Sequence, residues 1–541
     1  MTSTRAHCAC LVLVIGCSLS GLAAGGAASA TETPLPATNA KSADSEKFPI
    51  LEYRVLGNTV LDTRQIERAV YPHLGPSRNL DDVQAARGEL EKAYRDAGYS
   101  SVFVDIPEQS VESGVVRLKV TEGRVAKVQV LGARYVMNRR ILSAVPSLQP
   151  GAVPLFPDVQ RDMTKLNQAS AGLRVVPILK PGPEPGTVDV DLKVKDDLPL
   201  HASAEVNNNY TADTTHTRVN LNVSYANLFQ RHQTLSLQYQ TAPANQRDAQ
   251  VLAATYLIPM QSSGPTLALY AVATNSDVAT VGTLGVIGAG HVYGTRYIVP
   301  LTSWDKFYPT LTLGADLKLF NESVLLSAGP GLQTPIKYMN WSVTYGATLL
   351  AGANSITFEF ANNFGIRGIF NDPAEFESKR AFAKPNYDYW HGDAAFDRPL
   401  PYGMSLALRV VGQYTTEPLI NNEQFAIGGI TSVRGYLEAE DLGDIGANGS
   451  IELRSPSVKS FFGGHPKEAY VYVFYDAAVA SLIDALPSQI SRYDLQGFGL
   501  GFRITGFAGF NAGLDVANPR LKTQYETAND PRIHFHFRYE F

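Results

Sequence analysis

Beyond about residue 198 the chain alternates apolar and polar residues, a period of two that marks strands with two unlike faces. Segments such as QTLSLQYQTA (233–242), TLALYAVAT (266–274) and EAYVYVFYDAAVA (468–480) carry the alternation openly. Weaker ones, among them HASAEVNNN (201–209) and NGSIELRS (448–455), bring the number of segments to sixteen. The connectors are unequal: FQRH, PLPYG and TGFAG are short, whereas RGIFNDPAEFESKRAFAKPN, SLIDALPSQISRYD and NPRLKTQYETANDP are long. Short turns at one end and long loops at the other are the habit of membrane barrels. Residues 198–541 are therefore predicted to form a 16-stranded antiparallel transmembrane β-barrel. One connector, SPSVKSFFGGHPK (455–467), is long where the scheme asks for a short turn.

The last segment, IHFHFRYEF (533–541), sends Ile533, Phe535, Phe537, Tyr539 and Phe541 one way and His534, His536, Arg538 and Glu540 the other. A soluble sandwich accounts for the alternation but not for aromatics running to the final residue. Lipid on one face and a wet lumen on the other account for both. His534 and His536 read as polar wall residues rather than as metal ligands.

Residues 48–197 follow a different pattern. Val55-Leu56-Gly57 recurs as Val130-Leu131-Gly132, and VRLKV (116–120) recurs as VDLKV (190–194). Two copies of one small α/β domain, 48–123 and 124–197, explain the repeat, each reading strand, helix, helix, strand, strand. LDDVQAARGELEKAYRDAGY is the clearest helix, with Leu80, Val83, Leu90 and Tyr94 near helical spacing and Gly98 as its stop. FPDVQRDMTKLNQAS is its counterpart in the second copy.

The N-terminus combines Arg5, an apolar run and Ala28-Ser29-Ala30, which predicts a secretory signal peptide over 1–30. Val14-Ile15-Gly16-Cys17 is an alternative lipoprotein box. The three cysteines, Cys8, Cys10 and Cys17, all lie inside it, so the expected mature chain has none. Residues 31–47 are polar and carry prolines, the composition of a flexible linker. No later run of about 18 apolar residues offers a transmembrane helix. A net charge of −5 over 541 residues gives no basic excess and no case for a nucleic-acid partner. Nucleophile elbows, phosphate loops, H-E-x-x-H and zinc-spaced cysteines are all missing, so neither an enzyme nor a cofactor is expected.

The remaining feature is GITSVRGYLEAE (429–440). An arginine in a loop is commonly just solvated, yet this long loop carries the apolar residues Phe425, Ile427, Ile430 and Val433. A loop of that kind packs back into something, and the lumen of a 16-stranded barrel has room for it. Inside, Arg434 needs a counter-charge. In VYVFYDAAVA, Asp476 shares a face with Phe474 and Tyr472, and its carboxylate suits the planar guanidinium.

These residues resemble the outer-membrane assembly and secretion superfamily. Val433-Arg434-Gly435-Tyr436 looks like its VRGY loop motif, and FYDAA (474–478), with Phe474 and Asp476, resembles its strand motif F-x-D-x-G with Ala478 in place of glycine. The repeats resemble two POTRA domains. The whole is similar to the two-partner secretion transporters: two α/β POTRA domains followed by the barrel. The resemblance implies an outer-membrane pore with periplasmic POTRA domains that capture an unfolded partner protein, such as a haemolysin or adhesin, for export and in some cases activation. The terminal Phe541 resembles the signal read by the barrel assembly machinery, so that machinery and outer-membrane lipid are further implied partners. Some relatives begin with a helix that plugs the pore; the short, proline-bearing 31–47 predicts none here. A sister branch inserts other barrels and shares the same motifs, which keeps an assembly factor as the alternative. A passive porin leaves the periplasmic repeats unexplained.

Overall fold

The computed structural model describes residues 47–541 apart from 112, 169–171, 261–263, 276–277, 282–283, 325–331 and 488. The expected signal peptide, nearly all of the expected linker and the question of a plug helix fall on residues 1–46, outside the described residues. The chain divides into two compact units, one ending at Asp197 and one running Leu198–Phe541.

In the first unit the sequence repeat becomes a repeated fold. The first copy runs from strand Glu52–Leu56 through helices Thr63–Val70 and Leu80–Asp96 to strands Val102–Asp105 and Val115–Glu122. The last strand lies in the middle of the sheet, parallel to the first and antiparallel to Val102–Asp105. Strands Arg124–Leu131, Leu173–Pro181 and Thr187–Asp196 repeat this order in the second copy, with helices Asn138–Ser143 and Phe156–Gln168. The long helix starts where Asn79 and Asp82 cap each other: the Asp82 amide donates to Asn79 Oδ1 and the Asn79 amide to Asp82 Oδ2, both at 3.0 Å. Its Val83, Leu90 and Tyr94 are buried, but Leu80, expected on the same face, is exposed at the helix's first position.

The recurring Val-Leu-Gly has a steric reason. Gly57 and Gly132 have φ of +89° and +88°, and a Cβ there would lie 2.4 Å from the Val120 carbonyl oxygen or 2.6 Å from that of Val194. A carboxylate closes each copy at the same place. Glu122 accepts the amides of Thr59 (2.5 Å) and Val60 (3.0 Å). Asp196 accepts those of Arg134 (3.0 Å), Tyr135 (2.6 Å) and Val136 (2.9 Å).

In the second unit sixteen strands close a barrel in sequence order, the first, Leu200–Asn207, pairing with the last, Arg532–Glu540. Each of the sixteen predicted segments supplies one wall strand. In Glu468–Ser481 the alternation sorts as expected: Val471, Val473 and Tyr475 are exposed, while Tyr472, Phe474 and Asp476 are buried. The long connector 455–467 spends its length on pairing with the following strand. Ser455 donates to the Val471 carbonyl (2.9 Å) and Val458 to that of Ala469 (2.7 Å), around a 3₁₀ turn at Lys459–Phe462.

At the opposite end the long loops are not simple excursions. Loop 366–387 holds a helix, Pro373–Lys379, capped by Asp372, whose Oδ1 accepts the Ala374 amide at 2.8 Å. Phe376 on this helix is buried against Tyr338 and Tyr387, with ring centroids 5.6 and 5.8 Å away. Loop 416–444 contains a small hairpin, Phe425–Ile427 with Asp441–Gly443, that is separate from the wall.

Candidate functional site

Residues 433–436 are buried to the last side chain, and each uses a different property of its type. Arg434 is 4% exposed and Asp476 is fully buried. Arg434 Nε donates to Asp476 Oδ2 and Nη2 to Oδ1, both at 2.7 Å, the two-pronged geometry open to arginine and not to lysine. The Arg434 amide adds a third bond to Oδ2 at 3.1 Å. The structure therefore brings together the two residues that the sequence pairs.

It also adds partners. Nη1 of Arg434 donates to Glu452 Oε1 at 2.7 Å, and Nη2 to Ser450 Oγ at 3.0 Å; the Ser450 hydroxyl in turn donates to Asp476 Oδ1 at 2.6 Å. Arg454 holds the other oxygen of Glu452 at 2.9 Å and reaches Asp397 at 3.3 Å. Charges alternate along this chain from Asp476 to Asp397, so no buried ion lacks an opposite neighbour. Phe474 lies under the guanidinium, with Arg434 Cζ 3.6 Å from its ring centroid, a cation–π contact shielded from water. Phe474, on the same inward face as Asp476, thus packs against Arg434 itself.

The other three motif residues hold the loop around the arginine. Val433 packs with Ala478 and Leu495, so the methyl of Ala478 fills space beside the loop rather than excluding it. Gly435 has φ +100°, and a Cβ there would stand 3.1 Å from the Pro519 nitrogen. Its amide donates to His534 Nε2 at 3.0 Å. The Tyr436 hydroxyl donates to the Gln496 carbonyl and accepts the Leu521 amide, both at 3.0 Å. Four of the five wall strands from Ile445–Arg454 to Arg532–Glu540 thereby hydrogen-bond to one loop tip.

Glu452, Ser450 and His534 escaped the sequence reading. Ser450 and Glu452 stand two apart on one face of NGSIELRS, so an inward charge was legible there but not its partner. His534 was read as an ordinary wall residue; it is the acceptor for the loop's glycine.

The profile of the POTRA domain, ShlB-type, matches residues 48–123. That of the haemolysin secretion/activation protein ShlB/FhaC/HecB matches 186–289 and 334–504, together more than half of the chain. The outer membrane transporter CdiB of Dickeya dadantii is 23% identical over 451 residues, 78% of this chain and 74% of its own. The heme/hemopexin transporter protein HuxB of Haemophilus influenzae is 19% identical over 412 residues, 72% of this chain and 69% of its own. Among solved structures, CdiB from Escherichia coli superposes with a TM-score of 0.56 at 19% identity, covering 94% of this chain and 93% of that one. BamA from Haemophilus ducreyi lacking POTRA domains 1–3 gives 0.53 at 15%, covering 91% and 100%, a likeness of fold. An N-terminal POTRA domain in the periplasm, a closed 16-stranded barrel in the outer membrane and these matches lead to one conclusion: the chain belongs to the ShlB/FhaC/HecB haemolysin secretion/activation family of outer-membrane protein transporters, and is not an enzyme.

Proposed function

We propose that the chain, exported by a signal peptide at 1–30 and threaded through a linker at 31–47, carries one unfolded partner protein, such as a haemolysin or adhesin, through its barrel to the cell surface. Residues 124–197 act as a second POTRA domain beside 48–123, and the two receive the passenger in the periplasm. The observation that carries this reading is the loop tip 433–436, fastened to the inner wall by the Arg434–Asp476 pair while Glu423 of the same loop is held by Lys318, Tyr338 and Tyr389 of other wall strands. Such a loop occupies the conduit and yet stays attached when the conduit clears.

The sheet edges support a particular site of capture, because an extended passenger binds an open edge through main-chain hydrogen bonds. In Leu173–Pro181 of the second copy, Val175 exposes its amide and carbonyl at the free edge, and the Asn167 side chain occupies both at 2.7 and 3.1 Å. Pro177 and Pro181 share that orientation and have no N–H to offer. That edge is closed. In Val102–Asp105 of the first copy, Ser101 turns its carbonyl toward the partner strand, bonding the Gly123 amide at 2.9 Å. Val102 and Val104 therefore face outward with their amides unoccupied, the Val104 carbonyl alone being touched, by Arg87 Nη1 at a long 3.5 Å, and this favours capture at the first copy.

A second reading, insertion of other barrels, draws on the closing seam, where pairing runs only from His536↔Asn207 to Glu540↔Ser203; a short ladder is where a sheet opens most readily. One experiment separates them. Removing the protein from its native cell and comparing surface and secreted proteins should cost one secreted protein under the export reading. Loss of many outer-membrane barrels would overturn export in favour of assembly.

A further inference from the structure

Three long loops meet on one buried carboxylate. Asp444, fully buried, stands at the foot of loop 416–444 immediately before wall strand Ile445–Arg454. Arg380 of loop 366–387 grips it with both terminal nitrogens, Nη2 lying 2.7 Å from Oδ2. The same Nη2 donates to the carbonyl of Ile483 in loop 482–491 at 3.0 Å, and the Ile483 amide returns to Asp444 Oδ2 at 2.7 Å. The Leu419 amide and the Gln424 side chain, both from loop 416–444, complete the set at 3.0 Å each.

Around this point apolar side chains from the loops pack against the wall. Phe376, Leu419 and Ile420 from the loops join Ile336, Tyr338 and Tyr387 in one buried cluster. Glu423 pins the same end of loop 416–444 to the wall, accepting from Lys318, Tyr338 and Tyr389. None of these contacts involves the Arg434–Asp476 fastening. Losing Arg380 would leave Asp444 charged, buried and without a cation, a state that must hydrate and loosen all three loops at once.

We infer that the Arg380–Asp444 pair latches the outer mouth of the pore: three loops form one cap while it is made and part together when it breaks. Arg434–Asp476 meanwhile keeps loop 416–444 tethered to another sector of the wall. The inference needs a pore but no particular cargo, so it stands apart from the export reading.

Its test is conductance of the full-length protein in planar lipid bilayers. Arg380→Ala and Asp444→Ala should raise open probability on the order of tenfold, and Arg380→Lys, which keeps the charge but loses the two-pronged grip, should fall between them and the parent. Arg409→Ala removes a different arginine of the barrel wall, paired with Asp393 at 2.8 Å, and should conduct like the parent. Heat-modifiable migration identifies folded barrels. Should either alanine variant not fold, Asp444→Asn, which retains an acceptor for Leu419 and Ile483, carries the same expectation. Parent-like open probability in the folded latch variants, or an equal rise in Arg409→Ala, would overturn the inference.

Discussion

The Gly435 amide donates to Nε2 of His534, 3.0 Å away, so that nitrogen is an acceptor and the neutral ring carries its proton on Nδ1. A residue of the last wall strand thereby reads the backbone of the loop tip. Replacing it with an acceptor-free side chain should free Gly435 while leaving Arg434 in place. His534→Ala should increase hydrogen exchange at residues 433–437, and His534→Gln, which keeps an acceptor, should increase it less. Equal protection in the parent and His534→Ala would remove this bond from the fastening.

Arg434→Ala leaves Asp476 buried without a cation, with only the Ser450 hydroxyl and the backbone amide of residue 434 still donating to it, a penalty of about 3–5 kcal/mol. Barrel insertion should persist, because the wall ladders are untouched, while secretion of the passenger falls strongly. Asp476→Ala should behave alike, and the double variant no worse than either single one. Normal secretion by Arg434→Ala would refute the role assigned to the pair.

Inside the wall, Tyr472 crosses Gly501 to reach Asp515, which also holds Arg503 Nη2 at 2.5 Å. A Cβ on Gly501 would stand 2.2 Å from both Asp515 Oδ1 and Tyr472 Cζ. Gly501→Ala should therefore destabilise the barrel by about 1–3 kcal/mol, whereas Gly392→Ala, whose nearest neighbour would be at 3.7 Å, should be close to neutral. The temperature at which each barrel loses its compact gel mobility measures the difference.

Asp196 supplies a pH dependence in the periplasmic unit. Burial raises its pKa, but the amides of Tyr135, Val136 and Arg134 outweigh that and hold the carboxyl below the usual range. A lowered folded-state pKa means that the stabilisation is complete above the ordinary aspartate value of about 3.9 and is lost as pH falls through the folded value. Protease resistance of residues 124–197 in the full-length protein should drop in that acidic window. Asp196→Asn should be less resistant at neutral pH and show less acid dependence.

Deleting 48–123 tests capture, since the open edge lies there. Passenger binding should be lost with conductance retained. Within the intact chain, a proline in place of Val104 should reduce binding more than Leu179→Pro, whose amide shares the outward orientation of Val175, because the second edge is already closed by Pro177, Pro181 and Asn167. Equal effects would move capture away from Val102–Asp105.

What the sequence by itself determined is what repeats locally. Period-two alternation placed every wall strand and the inward face of Asp476, because a strand's side chains alternate wherever the strand lies. The repeated Val-Leu-Gly marked two copies of one fold, because a left-handed residue pressed against a carbonyl must be glycine in both. An apolar-patched loop with one arginine pointed inward for reasons of desolvation alone. Tertiary structure decided the rest. Arg434 and Asp476 were legible as a pair only because each belongs to a short motif, whereas Ser450, Glu452 and His534 have no local signature. Arg380, Asp444 and Ile483 lie in three separate loops that alternate with wall strands. Only closure of the barrel brings those loops over one lumen, and which charge meets which follows from that geometry rather than from any spacing along the chain.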